Sequence, residues 1–246
     1  MATTGRIHIN GEETLGHILK DKLLSMPINQ REYAWTTEKH VPDLLSDLAN
    51  AIALKEEYFL GSVVVTNPDS VDGRNLVIDG QQRLATTTMV IAAIRDYFVA
   101  NKDVTRAGII ENEYLFSQDS RTLDTIPHLI LNRVDHEYFR RRILSRPDHP
   151  DRQVKPTAES HDLIDEAAES IRKHISSVGA QFQPPLNIQR LMDWVDFIRD
   201  GARVIWLQVP DETNGFVMLQ TLNDRGLAPT DLSTLLALAL HKERQI

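Results

Sequence analysis

The sequence predicts a fold of the α+β class, a small mixed sheet carrying a large helical addition. Three observations lead there. Residues 58–66 and 203–209 are rich in β-branched and aromatic side chains, the composition of strands. A shorter apolar run, residues 76–78, passes abruptly into a stretch where Leu84, Thr88, Ile91, Ile94 and Phe98 recur at three- and four-residue steps, the period of a helix. Between these strands lies a middle section that is mostly helical and punctuated by Pro-containing loops.

Composition bounds what such a fold can do. A chain of 246 residues buries about 70–75% of its unfolded surface, so its core needs no staples. The absence of cysteine rules out disulfides, thiolate zinc sites and Cys nucleophiles, and suits a reducing cytosol. No apolar run reaches the roughly 18 residues of a membrane span, and residues 1–25 lack the apolar centre of a signal peptide. A soluble, cytoplasmic protein with no membrane partner is therefore expected. The net charge of −8 argues against a chain built for tight nonspecific DNA binding. Any nucleic-acid contact must be local or shared with another part.

In chain order, residues 1–10 read as a loose start. Thr14 to Leu24 reads as a short helix with Leu15, Ile18, Leu19 and Leu23 on one side. Pro27 then prevents helix continuation and favours an extended segment. In that geometry Gln30 and Glu32 share one face, and Arg31, Tyr33 and Trp35 the other. Arg31 can stack on the two aromatics or be aimed by them, or simply lie over a surface Trp. Thr36 or Thr37 caps the next helix, whose apolar stripe is Val41, Leu44, Leu45, Leu48 and Ile52. Asp43 and Asp47 share a face of it, as a metal-holding pair or, more ordinarily, a solvated acidic face. Gly61 interrupts the 58–66 strand and signals close approach of another backbone or a ligand. The loop that follows would pair this strand antiparallel with the 76–78 run.

The turn Asp79-Gly80-Gln81-Gln82-Arg83 joins that run to its helix. Gly80 supplies the tight turn. The unpaired N–H groups of the first helical turn and the helix dipole favour an anion. Arg83 adds a planar fork suited to phosphate oxygens, and Asp79 could orient water or help hold a metal ion. These parts point to a nucleotide phosphate site. The plain alternative is a turn with Asp79 as N-cap.

Helices are predicted at about 103–117, 135–145, 158–178 and 187–200. Residues 133–155 hold seven Lys/Arg (Arg133, Arg140, Arg141, Arg142, Arg146, Arg152 and Lys155) against four Asp/Glu, the most basic stretch of an acidic chain. It is either a nucleic-acid contact or a solvated face. His128, Asn132 and His136 imitate the letters of a His-Asn-His nuclease, yet four-residue steps in a helical stretch do not build that ββ-hairpin metal site. No zincin or Walker-type motif occurs. After the 203–209 strand, residues 212–222 read as a helix stopped by Gly226, and 232–243 as the last helix. Asn223 and Arg225 either cap that helix end or project into the phosphate site.

Four segments, in this order and spacing, resemble the N-terminal domain of GmrSD-type restriction endonucleases, a family that includes SspE-like phosphorothioate-sensing proteins. They are Pro27-Ile28-Asn29-Gln30-Arg31-Glu32-Tyr33-Ala34-Trp35, Tyr58-Phe59-Leu60-Gly61-Ser62, Val77-Ile78-Asp79-Gly80-Gln81-Gln82-Arg83-Leu84 and Leu222-Asn223-Asp224-Arg225-Gly226-Leu227. The resemblance covers residues 10–100 and 200–240 of a single domain, 1–246, with 101–200 as a helical insertion. It implies a ParB/sulfiredoxin-like α+β fold, hydrolysis of a nucleoside triphosphate (NTP) with Mg2+ or another divalent cation, and anti-phage restriction of modified DNA. The nuclease would then reside in a C-terminal domain or a partner chain, making this chain a fragment or a separate subunit. By the same resemblance Asp79, Gln81, Gln82 and Arg83 would be catalytic, with Asp79 as metal ligand. Gln30, Arg31, Gly80, Arg83, Asn223 and Arg225 would bind the nucleotide. Tyr33 and Trp35, with Arg140 and Arg141, are the candidate contacts to DNA or its modification. A homo-oligomer is compatible with all this. The chain departs from the family where Thr234-Leu235 follow Asp231 in place of a Lys-Asn pair, so a contact made by that Lys would be missing. Two rival readings are a sensor module that does not hydrolyse nucleotide, and a ParB-like metal-dependent nuclease. The acidic charge and the lack of a metal-ligand cluster weigh against the nuclease.

Overall fold

The structure, a computed structural model, describes residues 8–68, 72–119 and 121–216. In chain order, β1 (His8–Thr14) leads into α1 (Leu15–Asp21), β2 (Leu24–Ser25), α2 (His40–Leu54), β3 (Tyr58–Thr66), β4 (Asn75–Asp79) and α3 (Gln81–Ala100). The middle carries α4 (Val104–Ile110), the hairpin β5 (Phe116–Gln118) and β6 (Thr125–Pro127), then β7 (Leu129–Ile130), α5 (His136–Phe139), α6 (Glu159–Ala180) and α7 (Leu186–Asp200). Strand β8 (Ala202–Val209) follows α7.

The main sheet runs β1-β8-β3-β4-β2-β7, with β1–β8 and β3–β4 antiparallel and the other pairs parallel. The α+β class and the antiparallel β3–β4 pair are as the sequence indicates. Alternation along the central strands feeds two apolar layers. Val63, Val65, Val77, Val204 and Trp206 join one large cluster with the helices, and Val64, Ile78, Ile205, Leu207 and Val209 form a second on the opposite face. Both faces being buried explains why these strands read as continuous apolar runs. The large cluster extends from Leu15 of α1 through α3, α6 and α7 to Trp206, so the helical middle shares the core of the sheet.

Several elements depart from the sequence expectation. Residues 8–14 form an edge strand on β8, where a loose start was expected; its HINGEET sequence gives no apolar alternation to read. Helix α2 begins at His40 and not behind a Thr cap, which keeps Pro42, lacking an N–H, inside the first turn. The segment after Met26 is not a strand with alternating faces: Arg31 is exposed, Tyr33 is buried and Trp35 is half-buried. The 103–117 and 135–145 helices each end in a π-helical turn, at 111–115 and 140–144. Short strands β2, β5, β6 and β7 fill stretches that carried no strand signal. Asp47, on the acidic face it shares with Asp43, accepts the Tyr58 hydroxyl at 2.5 Å, and burial together with that carboxylate pushes the phenol up to about 12.

Candidate functional site

Strand β4 stops at Asp79, opposite Val64 of β3, and Gly80 reverses the chain at φ 92°. A Cβ at that position would stand 3.0 Å from Val63 Cγ2, so glycine serves both the turn and the close packing. Helix α3 starts at once, and Gly80 offers no side chain to cap it. Among the described residues, the first-turn amides are therefore without a side-chain acceptor, the condition that draws an anion to a helix start.

Arg83 lies one turn in. Its Nη2 is 3.3 Å from Asp79 Oδ2, and its Nη1 donates to the carbonyl of Leu60. That carbonyl is accessible because β3 is bulged between Phe59 and Ser62. Gly61, at φ 90°, completes the slot: a Cβ there would sit 2.9 Å from Arg83 Nη1. The close approach signalled by Gly61 is thus that of an arginine of the motif. Burial pulls the guanidinium below its ordinary value and Asp79 works against that, so Arg83 stays cationic. The Asp79 carboxylate is more than a third exposed, leaving it accessible from solvent.

The two glutamines point elsewhere. Gln81 Nε2 donates to Val77 O at 2.6 Å, tying the helix start to its own strand. Gln82 spans the extended segment: Oε1 accepts from Ala34 N at 2.9 Å and Nε2 donates to Glu32 O at 3.2 Å. Tyr33, between them, is buried with its hydroxyl 2.9 Å from Thr86 Oγ1, one turn further along α3. It is a core residue, so as a contact to DNA or its modification it is misplaced. Trp35 is half-buried and stacked on His40 at 5.8 Å between centroids.

Among the described residues, the second arginine of the expected site makes no hydrogen bond or ion pair with Asp79 or Arg83. Arg31 is exposed, and its backbone carbonyl accepts from Asn132 Nδ2 at 3.1 Å. Gln30 closes a turn onto Pro27 O at 3.0 Å. Two cavities, of about 480 and 440 Å³, include neither Arg31 nor Arg83. The larger opens beside the second half of α3, between Tyr97, Arg142, Arg152 and Arg172. Asn223 and Arg225 lie outside the described residues, as do the stop at Gly226 and the last helix.

Five of the seven basic residues of the 133–155 stretch meet a carboxylate where they stand. Arg140 pairs with Glu137 at 2.8 Å and Arg141 approaches Asp151 at 3.9 Å, while Arg142, Arg146 and Arg152 are held by Asp165, Glu111 and Asp96. The nuclease-like letters are structural too. His128 gives its Nδ1 to Leu19 O at 2.5 Å, and Asn132 Oδ1 caps the amides of Val134 and Asp135.

Sequence reasoning missed the group that fixes this region. Asp135, 1% exposed, accepts from Tyr33 N at 2.7 Å, Asn132 Nδ2 at 3.1 Å and Ser160 Oγ at 2.5 Å. The Asn132-x-x-Asp135 spacing is that of a local Asx cap and could have been read as such. Nothing local announces that its other partner is Tyr33. Arg74 and Arg95, 4% and 0% exposed, were missed in the same way: each caps main-chain carbonyls distant in sequence.

Among the described residues, no group of three or more His, Cys, Asp or Glu is gathered as a metal site, and no helix is long and apolar enough to cross a membrane. A family model described as the N-terminal domain of GmrSD restriction endonuclease matches residues 15–240, a span that takes in all four motif segments. No curated protein matches the chain.

Proposed function

The chain belongs to the GmrSD restriction endonuclease N-terminal domain family, and from that premise we propose that it is the NTP-binding, NTP-hydrolysing regulatory domain of its restriction system. One observation carries the reading: the helix start left without a side-chain cap, with the cationic Arg83 fixed beside the accessible Asp79 at 3.3 Å. The amides of α3 and the Arg83 fork would hold phosphate oxygens. Asp79 would orient the attacking water or give one oxygen to Mg2+, whose role is to neutralise phosphate charge. With a single carboxylate available among the described residues, phosphate oxygens and water would complete that ion's shell, the usual habit of Mg2+. Asn223 and Arg225 are proposed to close the site.

The engagement of Gln81 and Gln82 with main chain favours a second reading, in which the domain binds nucleotide without turning it over. On either reading the glutamines position the turn and do not touch phosphate. The test is Mg-dependent phosphate release from purified protein with each of the four NTPs, beside a thermal-shift titration. Turnover lost in Asp79→Ala and Arg83→Ala supports hydrolysis. A thermal shift without turnover supports the sensor, and neither signal with any NTP sinks both.

A further inference from the structure

The cavity of about 480 Å³ lies far along α3 from the motif turn. Tyr97, on its wall, stands roughly four turns beyond Arg83 on the same helix, about 20 Å along the axis. Helix α3 lines the cavity with Ala92, Ala93 and Tyr97, and α6 with Ala168 and Arg172, while residues from 142 to 152 close the third side. Alanine on both facing helices leaves a trough where larger side chains would have met. Its volume falls in the range of small-molecule sites, roughly 300–1,000 Å³. Three arginines stand around it at different depths: Arg152 is the most buried, Arg142 is intermediate and Arg172 is exposed. Each is held through two of its nitrogens and leaves one Nη without a hydrogen bond among the described residues. Arg152 donates from Nε to Ser145 O at 2.8 Å and from Nη2 to Asp96 at 2.5 Å. Arg142 donates from Nε to Asp165 at 2.7 Å and from Nη1 to Arg152 O at 2.9 Å. Arg172 meets both oxygens of Glu169, at 2.8 and 2.7 Å. Pairing at the inner end leaves positive charge over. Arg95 and Arg152 share Asp96, and Arg95 and Arg146 share Glu111, so three arginines divide two carboxylates. Burial pulls the Arg152 guanidinium below its ordinary value; Asp96 resists, and Arg95 and Arg142 add to the fall. An anion beside Arg152 would offset that repulsion.

We propose that this cavity is a second ligand site, taking a small phosphomonoester with a flat apolar body, the chemistry of a 5′-mononucleotide. The three unused Nη groups belong to three separate side chains. That suits the three terminal oxygens of a phosphomonoester better than the two of a carboxylate. The forks are already fixed by carboxylates and main chain, so binding orders little that was free. Beside them the short side chains of Ala92, Ala93 and Ala168 and the ring of Tyr97 offer a level apolar wall to a planar ring. The site shares neither Asp79 nor Arg83 with the motif turn, so it stands apart from the function proposed for that turn.

The experiment titrates the full chain with each of the four 5′-mononucleotides by isothermal calorimetry, beside the matching nucleosides and inorganic phosphate. At least one mononucleotide should bind about tenfold or more tightly than its nucleoside or phosphate alone, because each half of the ligand meets its own wall. Arg172→Ala removes one charge-assisted donor and should weaken that binding by about tenfold. Its ion pair is exposed, so the variant should melt with wild type, which separates a lost contact from a lost fold. Ala93→Met fills the trough without touching a charge and should weaken binding at least as much. Arg83→Ala should bind mononucleotide as wild type does, so failure of the nucleotide reading of the motif turn shows up separately. The proposal is overturned if no mononucleotide binds at about millimolar concentration, or if nucleoside or phosphate alone binds as well. It is equally overturned if the Arg172 and Ala93 variants bind as wild type, or if the loss falls on Arg83→Ala instead.

Discussion

Gly61 bears on the candidate site more than any other glycine, because its missing Cβ is the space that Arg83 occupies. Gly61→Ala meets two penalties: a left-handed backbone at φ 90° and a contact of 2.9 Å with Nη1. Gly11 is the natural comparison, since its φ is 98° but nothing lies within 4 Å of its ideal Cβ. The backbone term alone should cost Gly11→Ala about 1–2 kcal/mol. Gly61→Ala should lose about 1 kcal/mol more, through the displaced arginine and its carbonyl partner, and should also weaken any nucleotide-induced thermal shift. Urea denaturation of the two variants measures the difference. Gln82→Ala tests the other bracket of the motif: it leaves Ala34 N and Glu32 O without partners, at about 1 kcal/mol each. Its signature should be faster amide exchange over residues 32–34 ahead of any change in the core.

At the level of elements, the loop 131–135 acts as a clasp between the extended segment, α5 and α6. Asp135→Ala would leave the amide of Tyr33, one N–H of the Asn132 side chain and the Ser160 hydroxyl without an acceptor, a loss of roughly 3 kcal/mol or more. Asp135→Asn keeps one acceptor oxygen and should recover part of it. Tyr33 amide protection, followed by hydrogen exchange, reports the clasp directly. The same loop shows where sequence reading succeeds and where it ends. Strands β3, β4 and β8 and helices α3, α6 and α7 were legible because composition or period is strong over five residues or more. The motif turn was legible because glycine, strand end and helix start are contiguous. Strands β2 and β7 are two residues long and exist by pairing with β4 and with each other, which no local pattern encodes. The arginines misled for a related reason: a basic run looks free until the folded chain brings Asp165, Glu111 and Asp96 to it.

For the molecule as a whole, one buried and two half-buried histidines shape the response to mild acid. Burial holds His128, His136 and His174 below their ordinary value, so the folded state prefers each ring neutral. The unfolded chain takes up those protons near pH 6.5 or about there. The stability they contribute is therefore complete above that pH and drains away as pH falls towards the folded values. Thermal melting should be flat from about pH 7 upward and decline below about 6.5; His128→Gln should soften the decline, and an unchanged or rising midpoint at pH 5.5 would contradict the account. The order of the sheet has a different consequence, one felt during synthesis. Strand β8 sits between β1 and β3, with Ile205 facing both Glu12 and Ser62. While the ribosome is still making the helical middle, the first and third strands flank an empty slot with their hydrogen-bonding edges open. A nascent chain in that condition is a natural client for chaperones, and translation arrested anywhere before Ala202 should yield an aggregating product, not a smaller folded one.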